Sequence, residues 1–285
     1  MAHPDSPALP SDIAVTVKTA VAEDVGGGDL TAALVPGDAT ATATVVVKEA
    51  AVLCGTAWFD EVFRQIDARI RTSWHAADGD DIAAGAAVCD VHGPARGLLT
   101  GERTALNFLQ TLSGTATATR GIVRLLAGTR TRVLDTRKTL PGLRTAQKYA
   151  VRCGGGMNHR LGLFDAVLIK ENHIQAVGSL SEAVRIARAR SPRALVEVEV
   201  ETLDELAAAL DSDADRVMLD DFSVEALERA VEMRDAHGGK RHELEASGNI
   251  DAGNLQRIAA TGVDFVSIGA LTKHVRAIDF SMRVL

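Results

Sequence analysis

Cysteine is scarce in this chain: Cys54, Cys89 and Cys153 are scattered, odd in number, and form no CxxC pair. Such a set argues against a disulfide framework and against a cysteine-based zinc site, and it points to a reducing compartment, the cytoplasm. No uninterrupted apolar run approaches the roughly 18 residues that a membrane span needs. The opening MAHPDSPALPSD has no basic stretch followed by an apolar core, so it reads as a short disordered lead rather than a signal peptide. HExxH, Walker and Gly-x-Ser-x-Gly patterns are missing, and no GxGxxG follows the first strand. Those absences remove the strongest motif-level arguments for a zinc protease, a P-loop enzyme, a nucleophile-elbow hydrolase or a dinucleotide-binding fold.

Net positive charge is lacking too. The 285 residues sum to −7, which argues against generic nucleic-acid binding. The distribution is uneven, however. Between positions 100 and 175 stand 12 Lys and Arg against 4 Asp and Glu, a local +8 inside an acidic chain. One basic segment of this kind suits a focused site for a small anion. Hydrophobic residues at 46% and charged residues at 24% are ordinary for a globular enzyme.

Periodicity divides the chain. Residues 40–55 (TATATVVVKEAAVLCG) are β-branched and partly alternating, which predicts strand; 57–66 predicts a short helix, and 70–91 further strands and hairpins. This first part reads as a small α+β domain. It lacks the exposed lysine of a biotinyl or lipoyl carrier. A long helix is predicted over 101–126. Beyond it, short apolar runs alternate with amphipathic helices. Strands are predicted at 132–135, 166–170, 195–200, 216–220, 243–246 and 265–268, and helices at 145–152, 182–190, 203–210, 224–236 and 254–260. Ser179 with Glu182, and Thr202 with Glu205, have capping-box spacing. Gly154-Gly155-Gly156 marks a helix stop. Repeated strand–helix units imply a parallel sheet with right-handed crossovers. An incomplete α/β barrel and an open doubly wound sheet both satisfy that pattern.

Nearly every predicted strand in this half ends in polar residues, and in barrels the chemistry gathers at the C-terminal strand ends. The ends supply Asp135-Thr136-Arg137-Lys138, then Lys170-Glu171-Asn172-His173, then Glu197, Glu199 and Glu201 on one strand face, then Asp220-Asp221. Glu245, Ser247, Gly248 and Asn249 follow, and then Gly269 and Ala270. The last two sets are small-residue loops, whose backbone N–H groups let a phosphate approach closely. Arg103, Arg137, Lys138, His159, Arg160 and Lys170 form a basic set suited to a compact dianion, since arginine forks bind carboxylates bidentately. Arg144, Lys148 and Arg152 stand at helical spacing and read instead as a solvated helix face.

These blocks together resemble one family. EDVGGGDLT (Glu23–Thr31), GERTALNFLQTLSGTAT (Gly101–Thr117), DTRKTLPGLRTAQKYAV (Asp135–Val151), GGGMNHRLGLFDAVLIKENH (Gly154–His173), VEVEVET (Val196–Thr202), LDDF, EASGNI and SIGALT are similar to quinolinate phosphoribosyltransferase, the carboxylating nicotinate-nucleotide pyrophosphorylase. The resemblance runs from about Ala22 to about Val284. It implies an α/β protein with an N-terminal α/β sandwich over residues 1–116, closed by 275–285, beside an open, incomplete α/β barrel over 117–274. It implies transfer of phosphoribosyl from phosphoribosyl pyrophosphate (PRPP) to quinolinate with decarboxylation, Mg²⁺ as cofactor, and a homodimer whose site Arg103 of the partner subunit completes.

By motif position, Arg137, Lys138, His159, Arg160 and Lys170 would line the quinolinate pocket, and Lys138, Lys170, Glu199 and Asp220 would be the catalytic groups. Glu199 and Asp220 would face the ribose and the metal–pyrophosphate, largely through PRPP. Ser247, Gly248, Asn249, Gly269 and Ala270 would hold the 5′-phosphate. The family commonly has His directly after GALT; here Lys273 stands there and His274 follows. Three rival readings are a barrel lyase forming a Schiff base through Lys170, a phosphoribosyltransferase for another aromatic acid, and a non-catalytic nucleotide binder.

Overall fold

The computed structural model describes residues 7–284; the expected disordered lead lies in part outside the described residues. In chain order the elements are α1 (Ile13–Val25), β1 (Thr40–Val47), β2 (Ala51–Val52), α2 (Thr56–Ile66), β3 (Arg71–Trp74), β4 (Asp81–Ile82), β5 (Ala87–Pro94) and α3 (Ala95–Leu125). There follow β6 (Arg132–Leu134), α4 (Arg144–Cys153), β7 (Ala166–Ile169), α5 (Glu171–Val177), α6 (Leu180–Arg190), β8 (Leu195–Val200), α7 (Leu203–Leu210) and β9 (Arg216–Asp220). The last are α8 (Val224–Ala236), β10 (Glu243–Ser247), α9 (Leu255–Ala260), β11 (Phe265–Ser267), α10 (Ala270–Lys273) and β12 (Phe280–Val284). Two compact units result. One holds the chain up to Arg120 with Thr139–Gly155 and the segment from Ala270 onward; the other holds Gly121–Lys138 and Gly156–Gly269.

The first unit is built on a four-stranded sheet of order β12-β1-β5-β3. Alternation in TATATVVV sends Ala43, Val45 and Val47 inward, and β12 pairs antiparallel with β1 from Val284 opposite Ala43 to Phe280 opposite Val47. Trp58, Phe59, Val62 and Phe63 form the apolar stripe of α2 and join the same core, each stabilising it by about 2 kcal/mol through burial. The orphan N–H groups at the start of α2 are met by a distant carboxylate. Asp78 Oδ1 accepts from Gly55 N (3.0 Å) and Thr56 N (3.1 Å), while Tyr149 Oη donates to Oδ2 (2.9 Å).

On α4 the structure corrects the sequence reading of a solvated basic face. Lys148 is only 1% exposed, whereas Arg152 is exposed. The cause is the crowding of α4: Ala146, Tyr149, Ala150, Val151 and Cys153 are all buried as well, leaving no solvent-facing arc wide enough for three basic residues.

The second unit is a six-stranded parallel sheet of order β6-β11-β10-β9-β8-β7. From β7 to β11 each strand lies beside its successor in sequence, so the sheet winds one way with no reversal point. A doubly wound sheet would contain such a reversal. β11 then returns to pair with β6, with Phe265 opposite Arg132. The curl stops short of closure: β6 and β7 are both edges, and β6 is met on its outer side by a single bridge, Leu134 to Met157. The architecture is therefore an open α/β barrel. Its strands are buried on both faces: β9 reads Arg216, Val217, Met218, Leu219, all buried, before Asp220 emerges. Helix starts follow the sequence signals, with Ser179 Oγ accepting from Glu182 N (3.3 Å) and Thr202 Oγ1 from Glu205 N (3.2 Å).

Candidate active site

Parallel pairing puts the C-terminal ends of all six strands at one rim. There a cavity of about 260 Å³ is lined by eight of the residues given a site role by motif position above: Arg137, Lys138, His159, Arg160, Lys170, Glu199, Asp220 and Ser247. Gly248, Asn249 and Gly269 lie on the same strand-end loops without lining it. Ala270 opens the short α10, which groups with the first unit. Arg103 stands exposed on α3, also in the first unit. Thr136, Leu168, Met218, Glu245 and Ser267 also line the cavity. A larger cavity, about 510 Å³, lies in the first unit, but its only charged lining groups are Glu23 and Asp24, the wrong sign for an anionic substrate.

The basic side is mounted on β6 and on the segment that follows α4. Asp135, fully buried at the end of β6, clasps that segment: Asn158 Nδ2 donates to its Oδ2 (2.6 Å) and His159 N to its Oδ1 (2.9 Å). This clasp delivers His159 and Arg160 to the rim. Burial, and then the neighbouring Arg137 charge, pushes the Arg160 guanidinium below its ordinary value. Cations held this close to each other favour a bound dianion. Lys170, at the head of α5, is ion-paired through Nζ with Glu199 Oε2 across the strand ends. Lys138 runs its stem over Gly269. A Cβ there would stand 2.9 Å from Lys138 Cδ and 3.3 Å from Thr136 Oγ1.

Beneath this rim sits a buried layer that the residue pattern did not single out as a unit. Glu197 (1% exposed) and Glu245 (0%) approach His159, whose Nε2 lies 2.9 Å from Glu197 Oε2 and 3.7 Å from Glu245 Oε2. His159 Nδ1 accepts from Arg160 N (2.8 Å), which assigns the ring proton to Nε2, facing the carboxyls. Arg216 spans the other side, 3.3 Å from Glu245 Oε2 and 2.8 Å from Glu243 Oε2, with its guanidinium 4.1 Å above the Phe265 ring. Desolvation raises both carboxyls, Glu197 to about 7 and Glu245 to about 8, and Glu245 is raised further by Glu197. The pair holds a proton at neutral pH, because two carboxylates this buried and this close do not both ionise.

An open parallel barrel with a basic arc facing carboxylates across its strand ends defines an enzyme acting on a small anion. Comparison with known proteins narrows the class. Residues 29–113 match the N-terminal domain of quinolinate phosphoribosyl transferase and residues 115–283 its C-terminal domain. The nicotinate-nucleotide pyrophosphorylase [carboxylating] of Mycobacterium leprae is 43% identical over 94% of this chain and 95% of that protein. The probable enzyme of the same name from Bacillus subtilis is 41% identical over 92% and 90%. The solved structure of the nicotinate-nucleotide pyrophosphorylase from Francisella tularensis superposes with a TM-score of 0.93 at 48% identity, covering 99% of this chain and 100% of that one. The chain belongs to the quinolinate phosphoribosyl transferase family.

Proposed function

We propose that this chain is a quinolinate phosphoribosyltransferase of NAD biosynthesis, joining quinolinate to PRPP and releasing nicotinate mononucleotide, pyrophosphate and carbon dioxide. The observation that carries this reading is the cavity itself, in which cations from the loop after β6, the 157–160 segment and the head of α5 oppose carboxylates from β8 and β9. Arg137, Lys138, His159, Arg160 and Lys170 hold the two adjacent carboxylates of the acid by charge-assisted hydrogen bonds, fixing a near-attack pose. The ring nitrogen attacks the anomeric carbon, and the bond to pyrophosphate breaks with its electron pair leaving on oxygen. Positive charge grows on the ribose in that step, and Glu199 and Asp220 stabilise it. The alkylated ring then accepts the electron pair released as the 2-carboxylate departs as carbon dioxide, and C2 takes up one proton. No covalent enzyme intermediate is needed.

Mg²⁺ fits the donor set. Glu199 and Asp220 are hard oxygen donors on neighbouring strands, partly exposed, and too few for an all-protein cage. That suits an ion carried largely by phosphates and water. Bound there, it neutralises charge on the leaving pyrophosphate. The 5′-phosphate is received by Ser247, Gly248, Asn249, Gly269 and Ala270. The working form is a cytoplasmic homodimer in which Arg103 of one subunit reaches the partner's site. Three buried free cysteines support the reducing compartment, and among the described residues no helix is long and apolar enough to cross a membrane.

Purified protein given quinolinate, PRPP and Mg²⁺ is expected to form nicotinate mononucleotide and carbon dioxide in equal amounts; a folded sample forming neither sinks the assignment. Gly269→Ala is expected to lower turnover at least about tenfold, because the new methyl pushes the Lys138 stem aside and displacements of about 1 Å cost up to 10²-fold. The melting temperature should move by no more than about 2 °C, since a flexible lysine yields without main-chain cost. Unchanged turnover would mean that Lys138 does not need its present path.

A further inference from the structure

We propose that Asp221 is a positioning residue that sets the conformation of the loop Ser247–Asn249, and through it the grip on the ribose 5′-phosphate; the inference rests on the reading of that loop as a phosphate receiver. Only two non-glycine residues among those described have positive φ, Asp221 at 55° and Asn249 at 47°, and they touch each other. Left-handed backbone is adopted by Asp and Asn more readily than by other side chains, but it persists only where the surroundings hold it. Here the holding groups are visible. The register of β9 and β10 ends with Ser247 opposite Asp220. The next residue, Asp221, donates its backbone N–H to Ser247 O (3.0 Å), carrying the pairing one step past the strand end.

Its carboxylate then crosses over the bare Cα of Gly248, where φ is 95° and an added Cβ would lie 2.1 Å from Asp221 Oδ1. The same oxygen accepts from Asn249 Nδ2 (3.1 Å), while Asn249 O accepts from Asn254 Nδ2 (2.9 Å). Three consecutive loop residues are thus fixed by one side chain and its backbone. A negative charge beside a phosphate is unfavourable in itself. The geometry therefore uses the acceptor oxygen and the left-handed backbone of Asp221, not its charge. Asparagine supplies both without the charge.

Steady-state kinetics with each substrate varied, together with calorimetric titration of PRPP, test the idea on the full-length enzyme. Asp221→Ala should raise KM for PRPP at least about tenfold and leave KM for quinolinate within about twofold. Asp221→Asn should return KM for PRPP to the wild-type value or below it. Equal rises in both KM values, or PRPP binding by Asp221→Ala equal to wild type, would overturn the positioning role. So would an Asn variant as weak as the Ala variant and rescued only by added Mg²⁺, which would make Asp221 a metal ligand. A wild-type protein that binds PRPP but turns over no quinolinate would sink the function reading alone, and the calorimetric arm would still decide the role of Asp221.

Discussion

An Arg137→Ala variant is expected to lose at least about 100-fold in kcat/KM for quinolinate while remaining folded. Hydrogen bonds to a charged group are worth about 1.5–3 kcal/mol each, and a bidentate fork supplies two of them, so a loss of 10²- to 10⁴-fold follows. Stability should barely change, because Arg137 is exposed and its removal relieves the repulsion it exerts on Arg160. The loss should also be selective. An aromatic acid with a single carboxylate already forgoes part of the basic arc, so the preference for the dianion should shrink in the variant. Steady-state kinetics with quinolinate and nicotinate decide the matter. Turnover within a few-fold of wild type would take Arg137 out of the binding set.

The second large effect concerns pH and stability. Glu197 and Glu245 titrate at about 7 and 8 in the folded protein, above the carboxyl value near 4.5 expected for the unfolded chain. Above about pH 4.5 the unfolded state therefore binds fewer protons than the folded one, and stability falls as pH rises. The stabilising contribution is complete below about 4.5 and is lost progressively up to about 8. Each tenfold change in proton affinity is worth about 1.4 kcal/mol, so the loss across that window is on the order of 3 kcal/mol or more. Glu245→Gln removes one ionisation, keeps the shape, and leaves Arg216 its contact with Glu243. Thermal melts of the two proteins from pH 5 to pH 8.5 should diverge, with the variant more stable at the alkaline end. Parallel curves would show that the pair ionises without cost.

How much of this was written in the residues depends on the kind of signal. The barrel strands were readable because short runs rich in apolar, β-branched residues ended in charged residues, and β8, β9, α7 and α8 fall where periodicity set them. The rim residues were readable for the same reason, since a polar side chain after VMLD or VLI has nowhere to go but the strand end. α1 escaped because IAVTVKTAVAEDV is rich in β-branched residues and has a weak apolar stripe, with Val17 alone fully buried. α5 escaped because Glu171, Asn172 and His173 read as a polar strand end. The helix begins there through a local exchange in which Lys170 N donates to His173 Nδ1 (3.0 Å). The layer below the rim was hidden for a deeper reason. Glu197 looks like its neighbour Glu199 in VEVEVE, yet one is fully buried and paired while the other reaches the cavity. Depth along a strand is set by the curl of the sheet, a tertiary property that no local pattern carries. Asp135 is similar: its role as a clasp depends on residues 158 and 159, more than twenty positions away.

The gap between β6 and β7 has a use that a seventh paired strand would forfeit. A regular strand must turn alternate side chains away from the interior, so it can present at most every second residue to a ligand. Beside β6 the ladder pairing reaches only Met157, and the residues after it are released from alternation. Asn158, His159 and Arg160 then act in succession: the first is spent on Asp135, the second lines the cavity with its Nε2 toward the buried carboxyls, and the third lines the cavity. The incomplete seam thus packs three separate tasks into three adjacent positions, a density of function that full closure of the barrel would not permit.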